Sequence, residues 1–391
     1  MITPFQFGSL PVIYFKPGGI GNLSSVIRQF GKNIILVTGK HSFIDSEGAK
    51  FLLQKLRSDC IYNKHIIISG EPTPEDIDQN VSLLSSVKYD CVVSIGGGSV
   101  LDAGKAISAM MYKTGSVADY LEGVGTKDHP GTKLPFIAIP TTSGTGSEAT
   151  KNAVISKVGK EGFKRSLRHE KFVPDIAIVD PELTLNCPKH ITAASGMDCL
   201  TQLMEAYLSD KSNLYTEALA LEGIKAIKTS LVRSFNNGHD IEARSGMSFA
   251  ALTSGICLAN AGLGVVHGFA SSIGGRYIIP HGVICGTLMA VANEVTVKKL
   301  RKIAPDSPAL KKYAALGEIF IQAENLAEHS LIDGFIEYLY KLSEELHLPG
   351  LKEAGLREED LADIAKATEC KNNPVKLDGE ELLEILNSKY L

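Results

Sequence analysis

The sequence lacks the marks of a nucleic-acid-binding protein and of a disulfide-linked secreted protein. Lysine and arginine number 40 against 44 aspartates and glutamates, so no basic excess is present to bind a phosphate backbone. The seven cysteines include no CxxC pair, which argues against a disulfide framework or a thiolate zinc site. The N-terminus has no basic start followed by an apolar run. We therefore expect a cytoplasmic protein with no nucleic-acid partner.

One long stretch lacks charge altogether. Between Ser245 and Gly275 there is no Asp, Glu, Lys or Arg, and a segment of that length could cross a bilayer. Several glycines, several hydroxyl-bearing residues, Asn260 and His267 interrupt it. This composition favours buried helices of a protein core, so we expect no membrane contact.

The pattern of apolar residues changes about halfway along the chain. Its 391 residues suit two domains, each with its own core. In the first half, short runs rich in Ile and Val alternate with turns and helical stretches. Continuous apolar runs predict strands covered on both faces, hence a mainly parallel sheet. After Pro188 long helix-compatible stretches take over. We predict an α/β domain over 1–187 and an all-helical domain over 188–391, with strands at 33–39, 65–69, 91–99, 135–147 and 175–181.

Two of these strands run into turns rich in glycine and hydroxyl groups. The stretch 94–105, SIGGGSVLDAGK, leads into a helix whose backbone amides can approach a phosphate. The stretch 140–150, PTTSGTGSEAT, offers hydroxyls to phosphate and ribose oxygens. Either alone could be an ordinary turn, but two on consecutive strands favour a dinucleotide. Ser99 and Ala106 break the Walker pattern around Lys105, and no strand-borne GxGxxG occurs, so ATP hydrolysis and an ordinary Rossmann fingerprint are disfavoured.

A third group of residues has the chemistry of a metal site. Asp198 and Gln202 are four apart and share one helix face, with Glu205 near it. His267 and His281 follow in a segment rich in glycine and alanine. A solvated helix face and two hydrogen-bonded core histidines would also explain these residues. Together, however, two imidazoles and a carboxylate form a set suited to a divalent metal with an open position for substrate.

The motifs taken together resemble the iron-containing (group III) alcohol dehydrogenases. In the family's order and spacing stand GGGSVLDAGKA, PTTSGTGSEAT, VDPELTL with ASGMDCLTQLMEAYLS, GLGVVHG and IPHGV, followed by NNP at 372–374. The resemblance implies a dehydroquinate synthase-like architecture. In it, an N-terminal α/β domain with a mainly parallel sheet binds a dinucleotide, and a helical C-terminal domain contributes a catalytic metal in the cleft between the two. We also expect a homodimer.

The resemblance also implies roles for individual residues. The implied metal ligands are Asp198, Gln202, His267 and His281. The implied catalytic residues are Asp198, His267, His281 and Ser271. The implied cofactor-binding residues are Gly39, Ser42, Gly97, Gly98, Ser99, Asp102, Thr141, Thr142, Thr145, Asn152, Lys164 and Leu183. The expected reaction is hydride transfer between a nicotinamide cofactor and a small alcohol or aldehyde whose oxygen a divalent metal, Fe²⁺ or Zn²⁺, polarises.

Two positions near the metal depart from the family's pattern. Gln202 stands where the family usually has histidine, and an amide oxygen is a weaker donor than imidazole. Metal affinity should therefore fall, the preference should move toward harder ions such as Fe²⁺, Mn²⁺ or Mg²⁺, and the metal could even be absent. Ser271 stands where many members have another histidine. A proton relay would then use the Ser271 hydroxyl with water, or the nicotinamide ribose.

A third departure concerns the choice of cofactor. Members selective for NAD often carry an acid after the strand at 33–39, where it accepts the ribose hydroxyl and repels a 2′-phosphate. This chain has Gly39, Lys40, His41 and Ser42 there. With no negative charge and a nearby cation, the turn favours NADP(H), while NAD(H) stays possible.

Three other functions are compatible with the sequence. A metal-independent reductase of an oxo-acid, as in the maleylacetate reductases, is the nearest. A lyase of the dehydroquinate synthase kind would also use NAD and a metal. A non-catalytic nucleotide sensor is the third.

Overall fold

The computed structural model describes residues 4–41, 43–321 and 326–390. The strands are β1 (Val12–Phe15), β2 (Asn33–Gly39), β3 (Tyr62–Ile68), β4 (Cys91–Gly96), β5 (Phe136–Pro140), β6 (Asn152–Lys157), β7 (Phe163–Arg168) and β8 (Ile176–Val179). The helices are α1 (Leu23–Ile27), α2 (Glu47–Ser58), α3 (Pro74–Leu84), α4 (Gly98–Met110), α5 (Lys189–Leu208), α6 (Leu214–Asn236), α7 (Ile241–Ala261), α8 (Val265–Gly274), α9 (His281–Ile303), α10 (Pro308–Ile321), α11 (Glu328–Glu345), α12 (Leu361–Ala367) and α13 (Gly379–Ser388).

Six strands form a parallel sheet in the order β1-β8-β5-β4-β2-β3. Side chains alternate between its two faces, as the period of a strand requires. Ile35 and Val37 enter one apolar cluster, whereas Ile34 and Leu36 enter the other. Because helices cover both faces, the inner strands are continuous runs of Ile and Val. The predicted parallel sheet is confirmed and each predicted strand is present, but those predicted over 91–99 and 135–147 end earlier, at Gly96 and Pro140, where the glycine-rich turns begin.

Strand β1 and the antiparallel hairpin β6–β7 were not predicted. β1 is an edge strand with largely exposed side chains, so its apolar residues do not follow the pattern of a buried strand. In β7, the sequence FKRSLR is dominated by basic residues and carries no apolar run. The hairpin is held instead by packing, with β6 against α4 and β7 against α8. It therefore connects the sheet to the helical part of the molecule.

Helix α5 is the central helix of the second half. Almost all of its residues are buried, and it packs against α6, α7 and α9. Pro188 is its N-cap, so the change from sheet to helices falls where the sequence changes character. No described residue beyond Val179 belongs to a strand, and the all-helical prediction for this half is confirmed. The division into two separately folding domains stays a prediction.

The uncharged stretch forms α7 and α8. No single helix within the described residues is long and apolar enough to cross a membrane. Helices α7 and α8 satisfy such a test only as a pair, and they meet at an angle of 97°.

Candidate metal and cofactor site

Four side chains that can bind a metal converge between α5, α8 and α9. They are Asp198, His267, His281 and Cys285, and one potential ligand atom from each lies within 4.8 Å of all the others. The Asp198 Oδ1 atom is 3.2 Å from His267 Nε2 and 3.7 Å from His281 Nε2. The structure thus brings together the carboxylate and both imidazoles proposed from the sequence.

Gln202 lies one turn after Asp198 on α5 and is also buried. Its side-chain oxygen has no hydrogen-bond partner among the described residues, and neither does His281 Nδ1. Leaving a buried polar atom unpaired costs about 1–3 kcal/mol, and a cation bound among these side chains would offset that cost for the Gln202 oxygen. Two imidazoles, a carboxylate and an unpartnered amide oxygen therefore fit a divalent cation.

Glu205 fixes the orientation of His267. Its Oε2 atom is 2.6 Å from His267 Nδ1, and its Oε1 atom accepts the Val266 backbone N–H at 2.7 Å. A carboxylate bound to one ring nitrogen leaves the other nitrogen, Nε2, available to a metal and raises its basicity. Glu205 is thus a positioning residue for the metal site.

The charge states of this cluster suit a cation. Burial raises the pKa of Asp198, but the His281 and His267 rings outweigh burial and lower it to about 2. Burial lowers the pKa of His281 to about 3. For His267, burial is outweighed by Cys285, Glu205 and Asp198, which raise its pKa well above the ordinary value. The groups around His267 thus favour a positive charge at this point of the cluster, as a metal ion would supply.

Two residues of this cluster were missed by sequence reasoning. Glu205 was noted only as lying near the Asp198 face. Cys285 was not considered, because a thiolate zinc site was sought as a CxxC pair and none exists. The structure places Cys285 one helical turn after His281 on α9, beside the other potential ligands. The i, i+4 spacing of His281 and Cys285 was the available signal.

Ser271 lies one turn after His267 on α8. Its hydroxyl donates to the His267 carbonyl at 2.8 Å and is 3.2 Å from Lys371 Nζ. Lys371 also donates to the His267 carbonyl at 2.9 Å. Ser271, the predicted relay residue, is therefore hydrogen-bonded to the backbone of His267, a predicted metal ligand. Its role in a proton relay stays a prediction.

The turns predicted to bind the cofactor lie side by side because β2, β4 and β5 are neighbours whose carboxyl ends meet at one edge of the sheet. These ends carry Gly39, Gly97 and Thr141. A Cβ on Gly98 would come within 2.7 Å of Thr145 Oγ1, so only glycine lets the two turns approach this closely. Gly97 is the N-cap of α4 and provides no capping side chain, which leaves the amides of the first helical turn open toward an anion.

A buried polar network holds these turns in place. Lys105 Nζ donates to the Ser147 carbonyl and the Asn152 carbonyl, each at 2.8 Å, and to Thr150 Oγ1 at 2.9 Å. The Asp102 carboxylate accepts from Ser147 Oγ at 2.5 Å and from the Val154 N–H at 3.0 Å. Both Asp102 oxygens are thus engaged within the protein, although Asp102 was predicted to bind cofactor.

The remaining predicted cofactor residues lie around this edge. Asn152 Nδ2 contacts Ser166 Oγ across the hairpin at 3.3 Å. Lys164 forms an ion pair with Glu71. Both groups lie close enough to His281 to affect the pKa of its ring, which Lys164 lowers and Glu71 raises. Leu183 packs on the apolar cluster beneath the sheet. Ser99, Thr142 and Thr145 are partly exposed at the turns, whereas Ser42 lies outside the described residues.

Comparison with known proteins agrees with this arrangement along the whole chain. The family model described as iron-containing alcohol dehydrogenase matches residues 11–181, and its C-terminal counterpart matches residues 192–390. Alcohol dehydrogenase 4 of Saccharomyces cerevisiae is 33% identical over 97% of each chain. The NAD-dependent methanol dehydrogenase of Bacillus methanolicus is 32% identical over 91% of each chain. The solved structure of an alcohol dehydrogenase from Oenococcus oeni, 30% identical, covers 99% of this chain and 100% of its own with a TM-score of 0.88.

The chain belongs to the iron-containing alcohol dehydrogenase family. It is a metal-dependent oxidoreductase of alcohols and aldehydes that uses a nicotinamide cofactor and a divalent metal. The fold, with a parallel sheet followed by helices, is the dehydroquinate synthase-like architecture that the sequence predicts. A metal-independent oxo-acid reductase and a dehydroquinate synthase-like lyase are not favoured.

Proposed function

We propose that this protein transfers a hydride between NADP(H) and a small alcohol or its aldehyde, at the contact of α5, α8 and α9 with the edge of the sheet. The observation that carries the proposal is the cluster of buried Asp198 and His267 with half-buried His281, whose potential ligand atoms lie close together. The glycine-rich turns at the ends of β4 and β5 provide the place for the cofactor's phosphates.

A divalent ion, Fe²⁺ or Zn²⁺, held by Asp198, His267, His281 and the Gln202 oxygen would supply a Lewis acid that polarises the substrate oxygen. Asp198 contributes negative charge at a buried position, and Glu205 keeps the His267 ring in its orientation. Burial of these groups limits the access of water, which strengthens every electrostatic interaction in the site.

A proton must leave the substrate hydroxyl during oxidation, and Ser271 is our proposed carrier. Its hydroxyl lies between the His267 carbonyl and the ammonium of the solvent-exposed Lys371. The Lys371 ammonium can only donate, so a proton taken up by the half-buried Ser271 would pass to water, as a relay through a hydroxyl and water requires.

The preference for NADP(H) is supported by the charges that follow β2. Gly39 ends the strand, and exposed Lys40 and His41 come directly after it. The carboxylate of Asp45 is 3.1 Å from His41 Nδ1, so the acid nearest in the chain is paired with a base. A 2′-phosphate at this turn would meet Lys40, which is exposed and forms no ion pair with any residue that the structure describes, instead of a repelling carboxylate.

A substrate panel on protein depleted of metal tests the proposal. The purified protein is chelated exhaustively, reloaded with one divalent ion at a time, and assayed with small alcohols and aldehydes on both cofactors by nicotinamide absorbance. We expect turnover to disappear on chelation, to return with Fe²⁺ or Zn²⁺, and to be faster with NADP(H). Turnover that survives full chelation would contradict the metal's role, and binding of cofactor without any net change in absorbance would favour a lyase or a sensor.

We further propose a cytoplasmic homodimer. Its support is the free edge of the sheet, where β1 exposes 56% of Val12, 44% of Tyr14 and 39% of Phe15. An exposed apolar strand edge is a template for pairing with another chain. Sedimentation velocity checks the dimer, and Tyr14→Lys with Val12→Lys should shift it to monomer.

The cytoplasmic location is supported by the cysteines of the described residues, which are all free, as in a reducing compartment.

A further inference from the structure

We propose that Cys285 is a metal ligand of this chain, so that its site is an Asp-His-His-Cys set that selects Zn²⁺ over Fe²⁺. The inference rests on the proposed function only in assuming that the cluster binds a metal. In this inference Cys285, and not the weaker donor Gln202, is the fourth ligand of the metal. The site's metal preference then moves away from the harder ions that Gln202 alone would favour.

The geometry of α9 places the thiol in the cluster. His281 and Cys285 are one turn apart, so both side chains leave the same face of the helix. The Cys285 Sγ atom is 3.8 Å from His267 Nε2 and within 4.8 Å of the ligand atoms of Asp198 and His281. With bonds of about 2.3 Å to sulfur and about 2.05 Å to nitrogen, a tetrahedral zinc ion separates its ligand atoms by about 3.3–3.6 Å. The side chains therefore need only small movements to close on a metal, and the substrate oxygen would be a fifth ligand, an expansion that catalytic zinc sites can make.

The position of Cys285 differs from that of the other buried cysteines. Cys199 directly follows Asp198, but consecutive residues of a helix do not share a face, and it lies beside Ser254 of α7. Cys257 places its Sγ atom 3.6 Å from the Thr216 carbonyl, inside the apolar core. Cys285 alone among the described cysteines faces the ligand cluster.

Charge balance gives the thiol a reason to bind as thiolate. Glu205 is committed to the His267 ring and the Val266 amide, so Asp198 would be the only anion directly on the metal. One carboxylate and one thiolate together neutralise a divalent ion, and an uncompensated charge in a buried site is costly. Thiolate is a soft ligand that favours zinc, whereas carbonyl and carboxylate oxygens suit harder ions.

The Gln202 oxygen does not compete with this assignment. It is buried and unpartnered, so it can contact the metal weakly or receive a hydrogen bond from the substrate hydroxyl. The two side chains are therefore distinguishable by experiment. Removing Cys285 removes a strong donor and a negative charge, whereas removing Gln202 removes a neutral and weaker one.

The test uses the full-length protein, depleted of metal and titrated with Co²⁺ and Zn²⁺. In the unaltered chain we expect one Co²⁺ bound with an intense near-ultraviolet sulfur-to-cobalt charge-transfer band, and X-ray absorption of the Zn²⁺ form should show one sulfur neighbour at about 2.3 Å. Cys285→Ala should abolish the band and weaken Zn²⁺ binding by at least about 100-fold, more than outer-shell changes do. Cys257→Ala, which changes a buried cysteine outside the cluster, is the matched control. It should keep both the charge-transfer band and the Zn²⁺ affinity of the unaltered chain.

Absence of a sulfur neighbour in the Zn²⁺ form of the unaltered chain overturns the inference without requiring any variant. A charge-transfer band that persists in Cys285→Ala but disappears in Cys257→Ala overturns it as well. In both cases a metal-dependent turnover would leave the proposed function standing. A chain that binds metal through sulfur but turns over no alcohol or aldehyde would instead support the ligand and contradict the function.

Discussion

The cofactor edge of the sheet and the metal cluster between the helices are built in opposite ways. At the edge, short turns follow directly on β4 and β5 and act through backbone amides and small residues. In the cluster, side chains come together from distant parts of the chain, since Asp198 and His267 are 69 residues apart. The first region is therefore encoded locally, and the second exists only when α5, α8 and α9 are packed.

Buried charges serve different ends in the two regions. Behind the turns, Asp102 and Lys105 have their hydrogen bonds satisfied by the protein, so these charges hold the turns in shape. In the cluster, Gln202 and His281 each keep a buried atom without a partner among the described residues, as Thr141 also does at the turn after β5. Substitutions behind the turns should therefore change stability, whereas substitutions in the cluster should change metal binding and turnover.

The strongest test of this difference is His267→Ala. Loss of one imidazole from the cluster should reduce kcat/KM by at least about 1,000-fold and abolish retention of metal, since even outer-shell partners are worth about 10–100-fold. Elemental analysis and steady-state kinetics measure both. His239→Ala, an exposed histidine before α7, is the control and should behave as the unaltered chain. Full activity of His267→Ala with no bound metal would show that the reaction does not use the metal.

A smaller effect is expected from Glu205→Gln. The amide preserves the size of the side chain but removes the charge that supports His267. We expect metal affinity and kcat/KM to fall about 10–100-fold, with the fold retained. Excess metal should restore much of the turnover, which separates a positioning role from a direct catalytic one. Glu217→Gln, which removes an ion pair with Lys312 on the helical surface, serves as the control. Unchanged metal affinity would show that the ring keeps its orientation without the carboxylate.

Gly39→Asp tests whether the turn after β2 sets the cofactor. An acid there would repel a 2′-phosphate and accept the ribose hydroxyl, so the ratio of kcat/KM for NADP(H) to that for NAD(H) should fall roughly ten-fold, about 1.4 kcal/mol. The comparison requires both cofactors at the same ionic strength. Gly379→Asp adds the same charge at the exposed start of α13 and should leave the ratio unchanged. An equal ratio in the two variants would mean that the turn does not contact the ribose.

The same difference explains what could be predicted from the sequence. Strands β2, β4, β5 and β8 were predicted because burial on both faces leaves a continuous apolar run. Asp198, His267 and His281 were proposed from residue type and family resemblance, and the structure brings them together. Cys285 was missed because its spacing from His281 indicates only a shared face of α9, and its place beside His267 depends on the packing of α9 against α8. The hairpin β6–β7 was missed because tertiary contacts outweigh its polar composition.

The smallest effect concerns Glu148, a buried acid within the 140–150 turn. Burial raises its pKa to about 7, while the unfolded chain keeps a value near 4.3. Because the pKa of Glu148 is higher in the folded state, its protonated form favours folding. This stabilisation of the folded state is complete below about pH 4.3 and is lost as pH rises through about 7. Glu148→Gln should flatten this dependence and, after losing some attraction to Lys105, gain about 1 kcal/mol at pH 8. Chemical denaturation at several pH values measures this gain, with exposed Glu182→Gln as the control. Unchanged kcat beside the altered stability would show that buried charges at the turns serve folding. A large loss of kcat would instead place Glu148 in the chemistry and break the distinction between the two regions.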